Sequence, residues 1–242
     1  SLGWCFMGFT TGRKSCAMTK AFVFGKFLPF HKGHESLINF ALSKCDFLTV
    51  LICCSDQEHI PGDHRKAWID KTFEHQANIE VKIFNYLESE LPNTSVSSKV
   101  ISEIWAHVFK KLFPDYTLVI TSEAYGEFVA GFMNIQHIAY DIPRIYFPVS
   151  ATAVRNDMYA NWNFLPDAVK PYFAIKVVVL GTESTGKTIL TKKLAAHFKC
   201  TAVMEAGREI IPNSNTFRFE DLYLVAAEHS KRINEAVLND SR

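Results

Sequence analysis

Short apolar, β-rich runs alternate with helical stretches along most of this chain, and each apolar run ends in polar residues. Ala21 to Phe24, Phe47 to Cys54, Glu80 to Phe84, Tyr116 to Ile120 and Ile145 to Val149 read as strands. Glu35 to Ser43, His64 to His75 and Ser98 to Leu112 have helical spacing, the last strongly amphipathic. Such alternation predicts an α/β fold: a Rossmann-like, doubly wound parallel sheet with helices on both faces. In sheets of this type a ligand sits outside the carboxyl ends of the strands. Those ends carry Gly25-Lys26, Ser55-Asp56, Ser122-Glu123 and Ser150-Ala151-Thr152. Polar residues gathered at four strand ends mark a site before any motif is considered.

A boundary is expected near Pro171. Two prolines, Pro166 and Pro171, lie among aromatic residues, and a new apolar run, Ala174 to Leu180, begins just after them. The organisation read from the sequence is a tail over 1–17, a first domain over 18–171 and the beginning of a second α/β domain over 172–242. The tail lacks periodicity and a secretion-signal pattern, which makes Met18 the natural beginning.

The 242 residues hold 26 Lys and Arg against 25 Asp and Glu, a formal charge of +1. That balance gives no bulk attraction to DNA or to an acidic membrane. No apolar run approaches the roughly 18–20 residues needed to cross a bilayer. The six cysteines, Cys5, Cys16, Cys45, Cys53, Cys54 and Cys200, have no metal-ligand spacing and read as reduced, buried thiols of a cytoplasmic protein. Small nucleotides are the expected partners. A homo-oligomer is compatible with the sequence.

The segment Gly25-Lys26-Phe27-Leu28-Pro29-Phe30-His31-Lys32-Gly33-His34 follows a strand and opens a helix. A helix start presents free backbone N–H groups and a positive dipole end, which favours phosphate. His31 and His34, three apart, share one helical face and can donate to triphosphate oxygens. Gly25 lets the chain turn, and Gly33 lets backbone approach a ligand. Far downstream, Ser150 and Thr152 precede Arg155 at another strand-to-helix junction. The hydroxyls either cap the helix or bind phosphate, and the guanidinium neutralises it.

These residues resemble the nucleotidyltransferase superfamily. His31-Lys32-Gly33-His34 matches its H-x-G-H signature, and Ser150 to Arg155 resembles I-S-S-T-x-x-R, with Val149 and Ala151 departing from the pattern. The whole segment from Gly25 to His34 is close to the form in bifunctional nicotinamide-mononucleotide adenylyltransferase/ribosylnicotinamide kinases (NadR-type). The resemblance runs on through Arg65, Trp68, Ser122-Glu123, Tyr125-Gly126, Asp141 and Arg144, and covers about Thr19 to Ile211. It implies attack of the 5′-phosphate of nicotinamide mononucleotide (NMN) on the α-phosphorus of ATP, giving NAD and pyrophosphate. His31 and His34 would serve the transferring phosphate. Ser150, Thr152 and Arg155 would serve the departing pyrophosphate, with Gly25, Lys26, Phe27 and Gly33 in the ATP cradle. Mg²⁺ would be held chiefly by substrate phosphates. Trp105 either stacks on the cationic nicotinamide ring or packs in the core. Asp56 and Glu123 either bind sugar hydroxyls or cap helices.

Gly181-Thr182-Glu183-Ser184-Thr185-Gly186-Lys187-Thr188 fits G-x-x-x-x-G-K-[ST], with Lys176 to Leu180 read as the strand before it and Ile189 to Phe198 as the helix after it. In a P-loop, backbone N–H groups, Ser184 among them, cradle phosphates, Lys187 reaches the β/γ oxygens and Thr188 ligates Mg²⁺. The loop resembles the G-x-E-S-S-G-K-S segment of the kinase half of NadR-type proteins. Glu205 to Glu209 resembles their E-Y-G-R-E, which makes Arg208 a kinase candidate beside the alternative of a surface salt bridge. Only 68 residues follow residue 174, against roughly 100–150 for a typical domain. No later apolar strand ends in aspartate. The expectation is a truncated or vestigial kinase half without ribosylnicotinamide kinase turnover. Rival expectations are a nucleotidyltransferase for another acceptor, such as phosphopantetheine, a nucleotide-sensing regulator, and a kinase with the front domain as scaffold.

Overall fold

The computed structural model describes residues 18–93, 98–211 and 218–239. The expected tail over 1–17, with Cys5 and Cys16, lies outside the described residues. Five parallel strands form one sheet: β1 (Lys20–Gly25), β2 (Phe47–Ser55), β3 (Ile79–Tyr86), β4 (Leu118–Thr121) and β5 (Gln136–Ala139), in the order β3-β2-β1-β4-β5. The order reverses at β1, so a crevice opens between the ends of β1 and β4, where doubly wound sheets place ligands.

Helices α1 (Lys32–Leu42), α2 (Gly62–Thr72), α3 (Lys99–Leu112) and α4 (Gly126–Met133) cover the two faces. Alternation along the strands divides the core. In β1, Ala21 and Val23 join α1 and α2 on one side, while Phe22 and Phe24 join α3 and α4 on the other. In β2, Leu48, Val50 and Ile52 share the first core, and Leu51 and Cys53 the second. Both central strands are buried along nearly their whole length, which is why they read as continuous apolar runs.

Two expected strands do not form. Ile145 to Val149 is loop: Ile145 and Tyr146 are exposed, and their N–H groups donate to the Asp141 carboxylate at 2.7 and 3.0 Å. The edge position belongs instead to β5, a short polar segment with weak periodicity. Lys176 to Leu180 is also irregular, with Val177, Val178 and Leu180 largely exposed. An apolar parallel strand forms only where a neighbour takes its N–H and C=O groups, and among the described residues none does. Cys53 and Cys54 are buried thiols as expected. Cys45 is half-buried and Cys200 exposed, so burial does not extend to every thiol.

After β5 come α5 (Ala151–Asn156), a 3-10 turn at Trp162–Phe164, α6 (Lys170–Phe173), α7 (Lys187–Phe198), α8 (Gly207–Ile210) and α9 (Asp221–Asn239). Arg232 of α9 ties α8 through Glu209 at 2.5 Å and closes an intrahelical pair with Glu228 at 2.9 Å. Among the described residues, no helix is long and apolar enough to cross a membrane.

Candidate active site

His31 is the N-cap of α1 and His34 lies in its first turn; the His31 carbonyl accepts the His34 and Glu35 N–H groups at 2.8 and 3.1 Å. Their rings stack with centroids 3.7 Å apart and planes 19° off parallel. Phe27 meets the His34 ring edge-on at 5.0 Å, and Phe30 lies parallel to it at 6.1 Å. Both phenylalanines are buried. Burial lowers the His31 pKa from 6.5 to about 3, helped by the positive charge of Arg144. His34 is driven well below its ordinary value by burial, by His31 and by Arg144. Both imidazoles are therefore neutral near pH 7, each with one N–H donor and one acceptor nitrogen. The Nδ1 atoms of both rings are buried and have no hydrogen-bond partner among the described residues. Two polar atoms left unpaired in a buried pocket are costly in the free protein and favour a hydrogen-bonding ligand.

Gly25 acts differently from expectation. The left-handed turn falls on Phe27, at φ 51°, and Gly25 instead leaves its face to the Phe27 ring, 3.6 Å from where a Cβ would stand. The strain of a non-glycine residue there is offset by burying the Phe27 ring. Gly33 leaves room for the His31 ring: a Cβ would stand 3.0 Å from its Cε1 and Nδ1.

The second motif lies against the first. The Arg155 guanidinium donates to the Leu28 carbonyl in the β1–α1 loop and, through Nη2, to Thr152 Oγ1 at 3.1 Å. A Cβ on Gly33 would meet Val149 at 3.7 Å, so the junctions before α1 and α5 touch. Ser150 caps α5, its Oγ accepting from the Ala153 N–H at 3.1 Å. The spacing predicted this capping role as one of two, and Ser150 fills it.

Lys26 is not a free charge. Its Nζ pairs with Glu58 Oε1 at 2.9 Å, and the other carboxylate oxygen pairs with Arg65 Nη1 at 2.7 Å. The Glu58 and Arg65 side chains are 5% and 1% exposed, so this is a buried network. Sequence reading overlooked Glu58, although it lies just beyond the end of β2. A signal for Arg65 was present: it shares the buried face of α2 with Trp68 and Ile69, at i, i+3 and i+4.

The nicotinamide candidates separate. Trp105 is buried in the core between α3 and the sheet, with Tyr86 edge-on at 5.0 Å and its Nε1 donating to the Pro92 carbonyl at 2.9 Å. It offers no open face, so the stacking alternative is corrected in favour of packing. Asp56 is exposed and holds the Glu88 N–H at 2.9 Å and Gln57 Nε2 at 2.7 Å; the Glu88 bond lowers its pKa. It staples the strand ends rather than capping a helix. Glu123, at the end of β4, pairs with Arg144 at 2.8 Å, and Arg144 adopts φ 55°. This places a cation near both imidazoles, at a position that sequence reading reached only through resemblance.

In the P-loop, Ser184 and Gly186 are left-handed, at φ 64° and 81°, and α7 begins at Lys187. Lys187 Nζ and Thr185 Oγ1 both donate to the Thr182 carbonyl, at 2.7 and 2.8 Å. Gly181 is close to this knot, 3.0 Å from Thr185 Oγ1 for a Cβ. Thr188 is exposed in the first turn of α7. Arg208 lies in α8, and its side chain is outside the described part of the structure.

Two family models match separate parts of the chain. Residues 21–125 match the family model of the citrate lyase ligase C-terminal domain, and residues 176–242 that of an AAA domain. The chain is 31% identical over 237 residues to the trifunctional NAD biosynthesis/regulator protein NadR of Escherichia coli, covering 89% of this chain and 56% of that protein. It thus spans little more than half the length of that curated relative. It is 25% identical over 159 residues to the nicotinamide-nucleotide adenylyltransferase of Thermoplasma acidophilum, covering 62% of this chain and 82% of that one. A crystal structure of a NadR protein in complex with NAD and AMP-PNP shares the fold, with a TM-score of 0.65 at 21% identity, over 93% of this chain and 67% of that chain.

Proposed function

We propose, from the site geometry and the similarity to the NadR proteins, that residues 18–171 form an NMN adenylyltransferase domain and residues 172–242 part of a P-loop kinase domain. The observation that carries this reading is the stacked, neutral pair His31 and His34, with both Nδ1 atoms unpaired among the described residues, at the crevice where the strand order reverses.

The reaction joins two anions. The 5′-phosphate oxygen of NMN attacks the α-phosphorus of ATP, and the bond to the bridging oxygen of pyrophosphate breaks. No covalent enzyme intermediate is required, so the protein contributes alignment and charge stabilisation. His31 and His34 donate N–H bonds to the transferring phosphate. A neutral imidazole keeps one N–H donor for this role. Arg155, already bonded to the loop that carries the histidines, receives the departing pyrophosphate, with Ser150 and Thr152 beside it. Arg144, whose charge acts on both imidazoles, adds positive charge. Mg²⁺ bound to the substrate phosphates would supply further neutralisation.

For the second unit, the curled loop at Gly181–Thr188 supports nucleotide binding. The Lys187 ammonium exchanges the Thr182 carbonyl for phosphate oxygens, and the exposed Thr188 hydroxyl has the oxygen-donor chemistry that a bound Mg²⁺ takes.

The test is incubation of the purified protein with ATP and a panel of acceptors: NMN, nicotinate mononucleotide and phosphopantetheine. NAD formation at the highest kcat/KM supports the reading. Preferential transfer to phosphopantetheine, with NMN inert, rejects it in favour of another member of the nucleotidyltransferase superfamily.

A further inference from the structure

The buried network beneath the β1–α1 loop has a feature that the histidine chemistry alone does not require. Arg65, on α2, uses one nitrogen twice: Nη1 pairs with Glu58 Oε2 at 2.7 Å and donates to the backbone carbonyl of Lys26 at 2.9 Å. Glu58 reaches back with its other oxygen to the Lys26 ammonium. One carboxylate–guanidinium pair thus grips both the main chain and the side chain of Lys26. The next residue is Phe27, whose backbone is left-handed and whose ring supports His34 edge-on. The clamp therefore ends one residue before the ring that packs edge-on against His34.

We infer that Glu58 and Arg65 are positioning residues for adenylyl transfer, acting through Lys26 and Phe27 to hold the His31–His34 pair in register with the transferring phosphate. Three features support this role over mere packing. The pair is held across elements, joining the β2–α2 connection to the β1–α1 loop. Its charges are almost completely buried, where a rigid pair resists displacement better than a solvated one. And the group it grips is a carbonyl, whose position fixes the following peptide plane and hence the φ of Phe27. Arginine suits the task because a single nitrogen of its rigid planar head makes both the ion pair with the carboxylate and the hydrogen bond to the carbonyl; a lysine ammonium keeps the charge without that planar head.

This inference rests on the adenylyltransferase reading, so its test carries a readout independent of turnover. Arg65→Lys, Glu58→Gln and the double variant Glu58→Leu/Arg65→Met, which removes both charges together and serves if a single variant does not fold, are compared with wild type. Steady-state kinetics are measured with ATP and NMN below each variant's melting temperature, and the His31 and His34 ring resonances are followed by NMR. Displacement of the imidazoles by a fraction of an ångström lowers kcat about tenfold or more, while KM for ATP and NMN stays within about threefold. The ring resonances move in the same variants. Wild-type kcat and unmoved resonances in folded variants overturn the inference, whatever happens to the melting temperature. If wild type itself makes no NAD, the functional reading falls, and the resonances alone decide whether the clamp orients the rings.

Discussion

The imidazole rings of His31 and His34 lie face to face, 3.7 Å between centroids, over a floor made by Phe27 and Phe30. Two like rings at that separation cannot both be protonated cheaply, and burial penalises even the first proton.

Stability should consequently fall as the solution is acidified from neutrality. The unfolded chain binds a proton at each histidine below about pH 6.5, whereas folded His31 resists until about pH 3 and His34 is also held low. Between those limits the unfolded state binds more protons, so stability rises with pH, at up to about 1.4 kcal/mol per pH unit for each histidine. The stabilisation is complete above the unfolded pKa and is lost as pH falls toward the folded one. Urea unfolding of wild type and of His31→Gln/His34→Gln between pH 7 and pH 4.5 checks this. The double variant should lose much of the slope, and identical slopes contradict the burial account.

Gly126 and Gly131, five residues apart on α4, should respond oppositely to alanine. A Cβ on Gly126 would stand far too close to Thr121 Oγ1 and 2.6 Å from His137 Nε2, whereas among the described residues nothing lies within 4 Å of one on Gly131. Gly126→Ala is expected to destabilise by about 1–3 kcal/mol or more through overpacking. Gly131→Ala is expected to stabilise by about 0.5–1 kcal/mol, since alanine restricts the unfolded chain. Melting temperatures of the two variants give the answer directly.

Trp105 should behave as a core residue. Trp105→Phe removes the bond to the Pro92 carbonyl and some packing against Tyr86. It is expected to destabilise by about 1–3 kcal/mol while leaving KM for NMN within about twofold. A large rise in KM without loss of stability would return the ring to the nicotinamide site.

Gly33→Ala crowds the His31 ring, 3.0 Å from the added carbon. The expected outcome is at least a tenfold loss of kcat for NAD formation, because the ring must tilt from its stack. Near-normal kcat would mean that the stack is not needed during turnover.

Much of this was legible in the sequence. β1, β2 and β4 follow from buried apolar runs and β3 from a run that alternates apolar with polar residues, and both motifs stand where a helix begins, although only the first of them follows a strand. What was hidden was set by tertiary context. β5 pairs through a short polar segment whose neighbour, not its composition, makes it a strand. The run Ile145 to Val149 looked equally strand-like until Asp141 took its N–H groups. Glu58 and Lys26 carry no local pattern that reveals their pairing; the contact exists only once β1 and β2 lie side by side. Trp105 had two readings because amphipathic spacing reports which face is buried and says nothing of whether a ligand shares it.

The most direct measurement of the central claim is ATP-dependent NAD formation from NMN by wild type and by His34→Ala, at pH 7.5 with Mg²⁺. The account predicts that wild type makes NAD and that the variant, still folded, loses about 100-fold or more in kcat, the scale of removing one preorganised donor to a charged transition state. Equal rates in the two proteins would contradict it.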